Sequence, residues 1–275
     1  MNMQENHDGG ELTADKIRVA SIQMQVMSAE PLKNIVRAEG FINDAARAGA
    51  NALLLPELWT TGYSLDRFDT LAEEFHGETL SFLQDAAKRH NVFIIGGSFP
   101  EKRAAGIYST CYTIRPDGAV LSSYSKQHLF PLLKEPQYLQ PGEAGSVTGT
   151  AAGKWASLIC FDIRFPESAR ELAYDGAKVL WVPAEWPQVR LEHWRTLLRA
   201  RAIENQLFVV ASNRCGTGDG TQWGGHSTII DPWGNILAEA GDDEAVLVAD
   251  LDMAIVDEVR ARIPCFQTRV VDRRS

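Results

Sequence analysis

No stretch of this 275-residue chain approaches the roughly 18 consecutive apolar residues of a membrane-spanning helix. Membrane insertion is therefore not expected. Residues 1–10 are polar and lack the apolar centre of a secretory leader, so residues 1–15 read as a flexible tail. Cysteine is scarce: the 4 residues Cys111, Cys160, Cys215 and Cys265 form no Cys-x-x-Cys pair and show no zinc spacing. A disulfide framework is excluded in a chain with so large an apolar content, and reduced thiols in a cytoplasmic protein are expected. Positive charge is also short, with 27 Lys and Arg against 36 Asp and Glu and a net charge of −9. That balance argues against nucleic acid as a partner, because phosphate binding needs clustered cations. The glycine-rich stretch Gly216–Gly225 lacks the Gly-Lys-Ser/Thr ending of a phosphate-binding loop and reads as a mobile strand connection. No Pro/Ser-rich linker divides the chain. Two domains could be built from this length, but single α/β domains often reach it, and one domain over 16–275 is expected.

What is present is an ordinary globular composition, 45% hydrophobic and 23% charged. Apolar residues recur with alternating periods. Residues 17–24 read as a strand. Ile35, Ala38, Ile42 and Ala45 share one face of a helix over 32–48, and residues 52–56 form a short buried strand. A helix over 78–90 and a strand over 92–95 follow. Strands near 107–114 and 119–125 are joined by the turn Pro116-Asp117-Gly118. The second half repeats the order: strand 155–160, helix 167–175, strand 178–183, helix 190–205, strand 207–212. Strands near 226–231 and 235–240 flank the turn Asp231-Pro232-Trp233-Gly234, and a strand at 245–250 and a helix at 252–262 close the chain. The pattern β-α-β-α-β-β-β thus occurs twice without sequence identity between the halves. It predicts an α/β fold, a four-layer α-β-β-α sandwich of two mixed sheets. Residues 131–153 are the least regular part and are expected as loops near a site mouth.

Three segments carry the chemistry. Cys160-Phe161-Asp162-Ile163-Arg164-Phe165-Pro166 follows an apolar run and turns toward a helix. A thiol at such a corner has backbone N–H groups nearby that stabilise a thiolate and later an oxyanion. A lone cysteine also reads as a buried packing residue, since free Cys is among the most buried types. Leu53-Leu54-Leu55-Pro56-Glu57 ends a strand in a carboxylate, and Lys126 ends a hairpin strand among aromatic residues. Strand ends at one edge of a sandwich can meet. Cys160 then serves as nucleophile, Glu57 as general base and acid, and Lys126 with the N–H of Phe161 as oxyanion donors. These are all protein groups, so neither metal nor organic cofactor is called for. Trp186, Phe130 and Tyr63 are candidate pocket walls. His128 reads as a structural hydrogen-bonder, and Asp162 with Arg164 as a buried structural ion pair. Adjacent strand residues face opposite ways, so His226-Ser227 is not a serine hydrolase pair.

In order and spacing, these segments resemble the nitrilase superfamily of carbon–nitrogen hydrolases, which use Glu, Lys and Cys. The flanking Gly62-Tyr63, Arg199-Ala200-Arg201-Ala202-Ile203-Glu204-Asn205, Gly225-His226-Ser227 and Asp231-Pro232-Trp233-Gly234 fit as well. The resemblance covers roughly residues 16–268 and implies the same four-layer fold. It implies a second catalytic glutamate, for which Glu135 is the candidate, a solvated loop acid being the other reading. Glu57-Leu58-Trp59-Thr60-Thr61-Gly62-Tyr63, Lys126-Gln127-His128-Leu129-Phe130 and Ala184-Glu185-Trp186-Pro187 are most similar to the omega-amidase-like branch. That similarity implies hydrolysis of a small amide with ammonia release, on 2-oxo acid amides such as 2-oxoglutaramate or 2-oxosuccinamate. Other amidases of the superfamily, acting on N-carbamoyl compounds, deaminated glutathione or aliphatic amides, are the alternative, then a nitrilase. A non-enzymatic binding protein would call for a missing triad residue, and none is missing. The resemblance also implies a homodimer or larger homo-oligomer, with the segment Ile263-Pro264-Cys265-Phe266-Gln267 packing across.

Overall fold

The computed structural model describes residues 16–268 and 270. The tail expected over 1–15 lies outside the described residues. The first half runs β1 (Lys16–Gln23), α1 (Pro31–Arg47), β2 (Ala52–Leu54), α2 (Phe68–Leu71), α3 (Glu78–His90), β3 (Phe93–Ile95), β4 (Phe99–Arg103), β5 (Gly106–Ile114) and β6 (Val120–Ser125). The second half runs β7 (Thr148–Thr150), β8 (Gly153–Ser157), α4 (Pro166–Tyr174), β9 (Ala177–Ala184), α5 (Leu191–Asn205), β10 (Phe208–Asn213), β11 (Cys215–Gly218), β12 (Thr221–Gly224), β13 (Thr228–Ile230), β14 (Ile236–Glu239), β15 (Ala245–Asp252) and α6 (Ala254–Arg262). Among the described residues, no helix is long and apolar enough to cross a membrane.

Period-2 alternation divides the apolar residues between layers. In β1, β2 and β3, Ile17, Val19, Ala52, Leu54, Phe93 and Ile95 join a core that includes Trp155, Val179, Trp181 and Val209 of the other sheet. Their neighbours Ala20, Ile22, Leu53 and Ile94 face outward and pack on Ala38, Ile42 and Ala45 of α1 and Leu80 and Leu83 of α3. Helices α4 and α5 lie on β9 and β10. The result is the expected α-β-β-α order of layers. Both sheets are mixed. One runs β15-β1-β2-β3-β5-β4, with β6 also on β5, and the other runs β14-β13-β10-β9-β8-β7. The parallel pairs β1–β2, β2–β3, β8–β9 and β9–β10 all have their C-terminal ends toward the loops that carry the candidate site.

The two halves of the pattern share a sheet: β15, at the end of the second, pairs antiparallel with β1 along its full length, from Lys16↔Asp252 to Gln23↔Ala245. Two expectations need correction. Strand β4 was not expected. It contains Pro100, which reads as a turn signal, and it sits at a sheet edge, where proline is tolerated. Gly216–Gly225 is not a slack connection: β11 and β12 form an antiparallel hairpin, and Trp223 on it is buried. The segment 131–153 is largely irregular, as expected, with 3-10 turns at Pro131–Leu133 and Glu135–Gln137. Within the chain, Phe266 rests edge-on against Tyr174, with Arg170 and Arg260 over its ring.

Candidate active site

Glu57 sits three residues past β2, in a turn held from behind. The Leu58 N–H donates to Ser98 Oγ at 3.0 Å, and the indole of Trp59 donates to the Gly96 carbonyl at 2.8 Å. Gly97 makes this contact possible. It has φ +62, and a Cβ there would lie 2.0 Å from the Pro56 carbonyl oxygen. The Glu57 side chain is fully buried. Its Oε1 accepts from Lys126 Nζ at 2.7 Å, and its Oε2 from the Glu185 N–H at 2.9 Å.

Lys126 follows β6, with its N–H on the Ser109 carbonyl at 2.9 Å. The ammonium is fully buried between two carboxylates, Glu57 and Glu135, each at 2.7 Å. Glu135 is no solvated loop acid. Its Oε1 also accepts from the Tyr63 hydroxyl at 2.6 Å, and its Oε2 from the Phe130 N–H at 2.7 Å. Three donors thus converge on this buried group, two on Oε1 and one on Oε2, which is what makes a buried charge tolerable.

Cys160 opens the 3-10 turn Cys160–Arg164 with φ +47, a left-handed conformation that side chains rarely adopt. Asp162 holds the turn in that shape. Its Oδ2 accepts from the Ile159 N–H at 3.0 Å and the Tyr124 hydroxyl at 2.7 Å. Its Oδ1 accepts from the His128 N–H at 2.8 Å and meets His128 Nδ1 at 2.8 Å. Asp162 therefore ties the cysteine turn to the Lys126 segment. This corrects the expected ion pair with Arg164, whose guanidinium instead stacks 4.6 Å over Trp186 and meets His193 Nδ1 at 3.2 Å. His128 is a structural hydrogen-bonder.

The Cys160 sulfur lies 3.9 Å from the Glu185 carbonyl oxygen. Burial, then the negative charge of Glu57, push its pKa well above the ordinary thiol value against the pull of Lys126. That shift favours the thiol over the thiolate before substrate arrives, in keeping with a general base at Glu57. Burial also raises the Glu57 carboxyl, with Lys126 opposing and Glu135 adding. Burial works to lower Lys126, but Glu135 and Glu57 outweigh it and hold the ammonium firmly charged. A neutral thiol beside a carboxylate of raised basicity, with a fixed cation at hand, suits proton transfer concerted with nucleophilic attack.

A narrow cleft opens over the sulfur, lined by Phe130, Cys160, Phe161, Arg164, Glu185, Trp186, Pro187 and Arg190. Phe130 and Phe161 pack with ring centroids 4.8 Å apart. Phe161 lies in the opening turn of a helical segment, where N–H groups have no intrahelical acceptor. Of the three expected wall residues, Trp186 and Phe130 line this cleft. Tyr63 does not: it reaches Glu135 with its hydroxyl and stacks on Trp223 at 5.3 Å.

Sequence reasoning missed Glu185 and Arg214, both fully buried and paired at 2.9 Å. It also put neither Arg164 nor Arg190 at the cleft, which both line. Burial and the charge of Arg190 both lower the Arg164 pKa.

Comparison with known proteins agrees with this geometry. Residues 18–261 match the carbon-nitrogen hydrolase family. The chain is 43% identical over 251 residues to a 2-oxoglutaramate amidase of Bacillus subtilis, covering 91% of this chain and 96% of that one. It is 36% identical over 265 residues to the human omega-amidase NIT2, covering 93% and 95%. The crystal structure of Saccharomyces cerevisiae Nit3, described as a member of branch 10 of the nitrilase superfamily, superposes with a TM-score of 0.87 at 31% identity, covering 97% of this chain and 99% of that one. With matched sequence over nearly its whole length and the sandwich seen in its relatives, this chain belongs to the carbon-nitrogen hydrolase family and is an amidase.

Proposed function

We propose that this amidase is an omega-amidase, hydrolysing the terminal amide of a 2-oxo acid such as 2-oxoglutaramate or 2-oxosuccinamate. The observation that carries the substrate is the pair Arg164 and Arg190 in the cleft beside Cys160. Among the described residues neither guanidinium has a carboxylate partner. Arg164 stacks on Trp186, and Arg190 lies 5.2 Å from the Phe130 ring centroid. Two partly buried cations that repel each other favour an anionic ligand, and arginine is matched to carboxylate by its planar fork. A charged α-ammonium would find no partner among the cleft's cations. The relatives named above support the same reading.

In this scheme Glu57 takes the Cys160 proton as the sulfur attacks the amide carbon. Lys126 Nζ and the Phe161 N–H receive the oxyanion. Collapse of the tetrahedral species breaks the C–N bond, and Glu57 returns the proton to the leaving ammonia, leaving a thioester. Glu57 then draws a proton from water, which attacks the thioester, and the 2-oxo dicarboxylate leaves with the thiol restored. Glu135 orients Lys126 throughout.

The proposal extends to setting and assembly. One folding unit over 16–275 fits the core shared by the two sheets. Four free cysteines suit the reducing cytoplasm. A homodimer fits the apolar side chains Ile203, Ile236 and Leu237, left exposed beside α5. The deciding experiment is kcat/KM, read by ammonia release, for 2-oxoglutaramate, 2-oxosuccinamate, glutamine, asparagine, an aliphatic amide and an N-carbamoyl amino acid. The 2-oxo acid amides should lead. Arg164→Ala should raise their KM by about 10-fold or more, the scale of a lost charged hydrogen bond, and leave an uncharged amide little affected. A tenfold preference for the aliphatic amide or the N-carbamoyl compound overturns the substrate.

A further inference from the structure

Behind Glu57 lies a second buried charge cluster that the scheme above does not use. Arg214 follows β10 and is fully buried. Its Nη1 donates to Glu185 Oε2 at 2.9 Å and to Asp219 Oδ2 at 3.1 Å, and its Nη2 donates to the Val26 carbonyl at 2.7 Å. The guanidinium lies 4.9 Å from the Trp223 ring centroid. The chain makes way for it: a Cβ on Gly218 would stand 1.9 Å from Nη2.

Such a cluster is a poor device for stability. Replacing a buried ion pair with apolar side chains is often neutral or favourable. Here the arrangement also leaves Glu185 Oε1 and Arg214 Nε buried without a hydrogen-bond partner among the described residues. What distinguishes Glu185 is its backbone. Its N–H holds Glu57 Oε2 at 2.9 Å, and its carbonyl oxygen is the group 3.9 Å from the Cys160 sulfur. The flanking peptides are fastened to the same strand end, Arg214 N–H to the Ala184 carbonyl at 3.0 Å and Trp186 N–H to Asn213 Oδ1 at 2.6 Å. The side chain of Glu185 is the remaining freedom, and Arg214 removes it.

We propose that Arg214 and Glu185 are a positioning pair: the hydrogen bond from Arg214 Nη1 to Glu185 Oε2 sets the tilt of the Glu185 peptide, and through it the orientation of Glu57 against Cys160. Neither side chain touches the reacting atoms. The hairpin of β11 and β12 takes part, since Asp219 and Trp223 brace the guanidinium from its outer side. This inference rests on Glu57 and Cys160 being base and nucleophile.

The test uses the full-length enzyme, with 2-oxoglutaramate turnover and with iodoacetamide labelling of Cys160 followed by peptide mass spectrometry. Glu185→Ala and Arg214→Lys should each lower kcat by about tenfold or more while KM stays within about threefold, the pattern of a misplaced catalytic group. Labelling of Cys160 should slow with them. Glu185→Gln keeps an oxygen for Arg214, so it should lose less than Arg214→Lys, and it supplies the reading if the alanine variant does not fold. Values for Arg214→Lys and Glu185→Gln within twofold of wild type, in both assays, overturn the proposal. The labelling arm needs no substrate, and a fully active Cys160→Ala would mark failure of the underlying reading instead.

Discussion

Lys126 is enclosed on all sides, and its two carboxylate partners at 2.7 Å leave no slack. A guanidinium is wider, planar and unable to offer a compact third donor to an oxyanion. Lys126→Arg should therefore lower kcat by about 10²-fold, as for the loss of an oxyanion donor. A variant within twofold of wild type would mean the lysine only bridges the two acids. Cys160 is the one cysteine of four at the cleft, so Cys160→Ala should abolish turnover while the melting temperature holds; residual activity would remove it as nucleophile. The raised Glu57 carboxyl bears on pH. A base works only when ionised, so kcat/KM should fall as pH drops through the Glu57 pKa, with the limb above the usual carboxylate value of about 4.5. A flat profile down to pH 4 would assign the proton transfer to another group. At this scale the sequence displayed Glu57 and Cys160 because each ends a short apolar run, and Lys126 because it ends a hairpin strand. Arg214 and Glu185 were opaque: an Arg or a Glu in a sequence reads as solvated until the fold encloses it.

Elements bring these residues together through a few polar stitches, and Asp162 is the chief one. Four donors converge on it from the cysteine turn, from Tyr124 of β6 and from His128. Replacing it with alanine leaves buried N–H and O–H groups without acceptors, at about 1–3 kcal/mol each. Asp162→Ala should lower the melting temperature by several degrees and kcat by more than tenfold, because the turn and the Lys126 segment lose their tie. An unchanged melting temperature would show that the left-handed Cys160 conformation is held by packing alone. Asp162 and Arg164 are near in sequence and do not meet in space. The turn points the two side chains apart, one into the interior and one over Trp186. The five longer helices were legible to within a residue or two because their apolar faces repeat regularly, whereas the single turn α2 was not. Strand β4 was not either, since three of its five residues are charged and Pro100 mimics a turn. Pairing of β15 with β1, some 230 residues apart in the chain, leaves no local trace.

Across the whole molecule, burial of acids without full compensation ties stability to pH. Burial outweighs Arg214 and lifts the Glu185 pKa from 4.5 to about 8. Glu57 moves in the same direction. In the unfolded chain these carboxyls ionise near pH 4.5, whereas burial in the folded protein moves the Glu185 pKa up to about 8. Between those values the unfolded state binds fewer protons, so rising pH favours unfolding. The contribution of Glu185 is thus complete below pH 4.5, declines through neutrality and is gone above about pH 8. One fully linked group gives about 1.4 kcal/mol per pH unit, or about 2–4 °C per unit in a chain of this size. Melting curves between pH 6 and 9 should show this decline, flattening above about pH 8. Glu185→Gln, which cannot ionise, should reduce the slope by about that amount while paired acids elsewhere leave their own dependence intact. An identical slope in the variant would mean that Arg214 holds Glu185 ionised in the folded state, and the pair would then be a charged clamp at all working pH values.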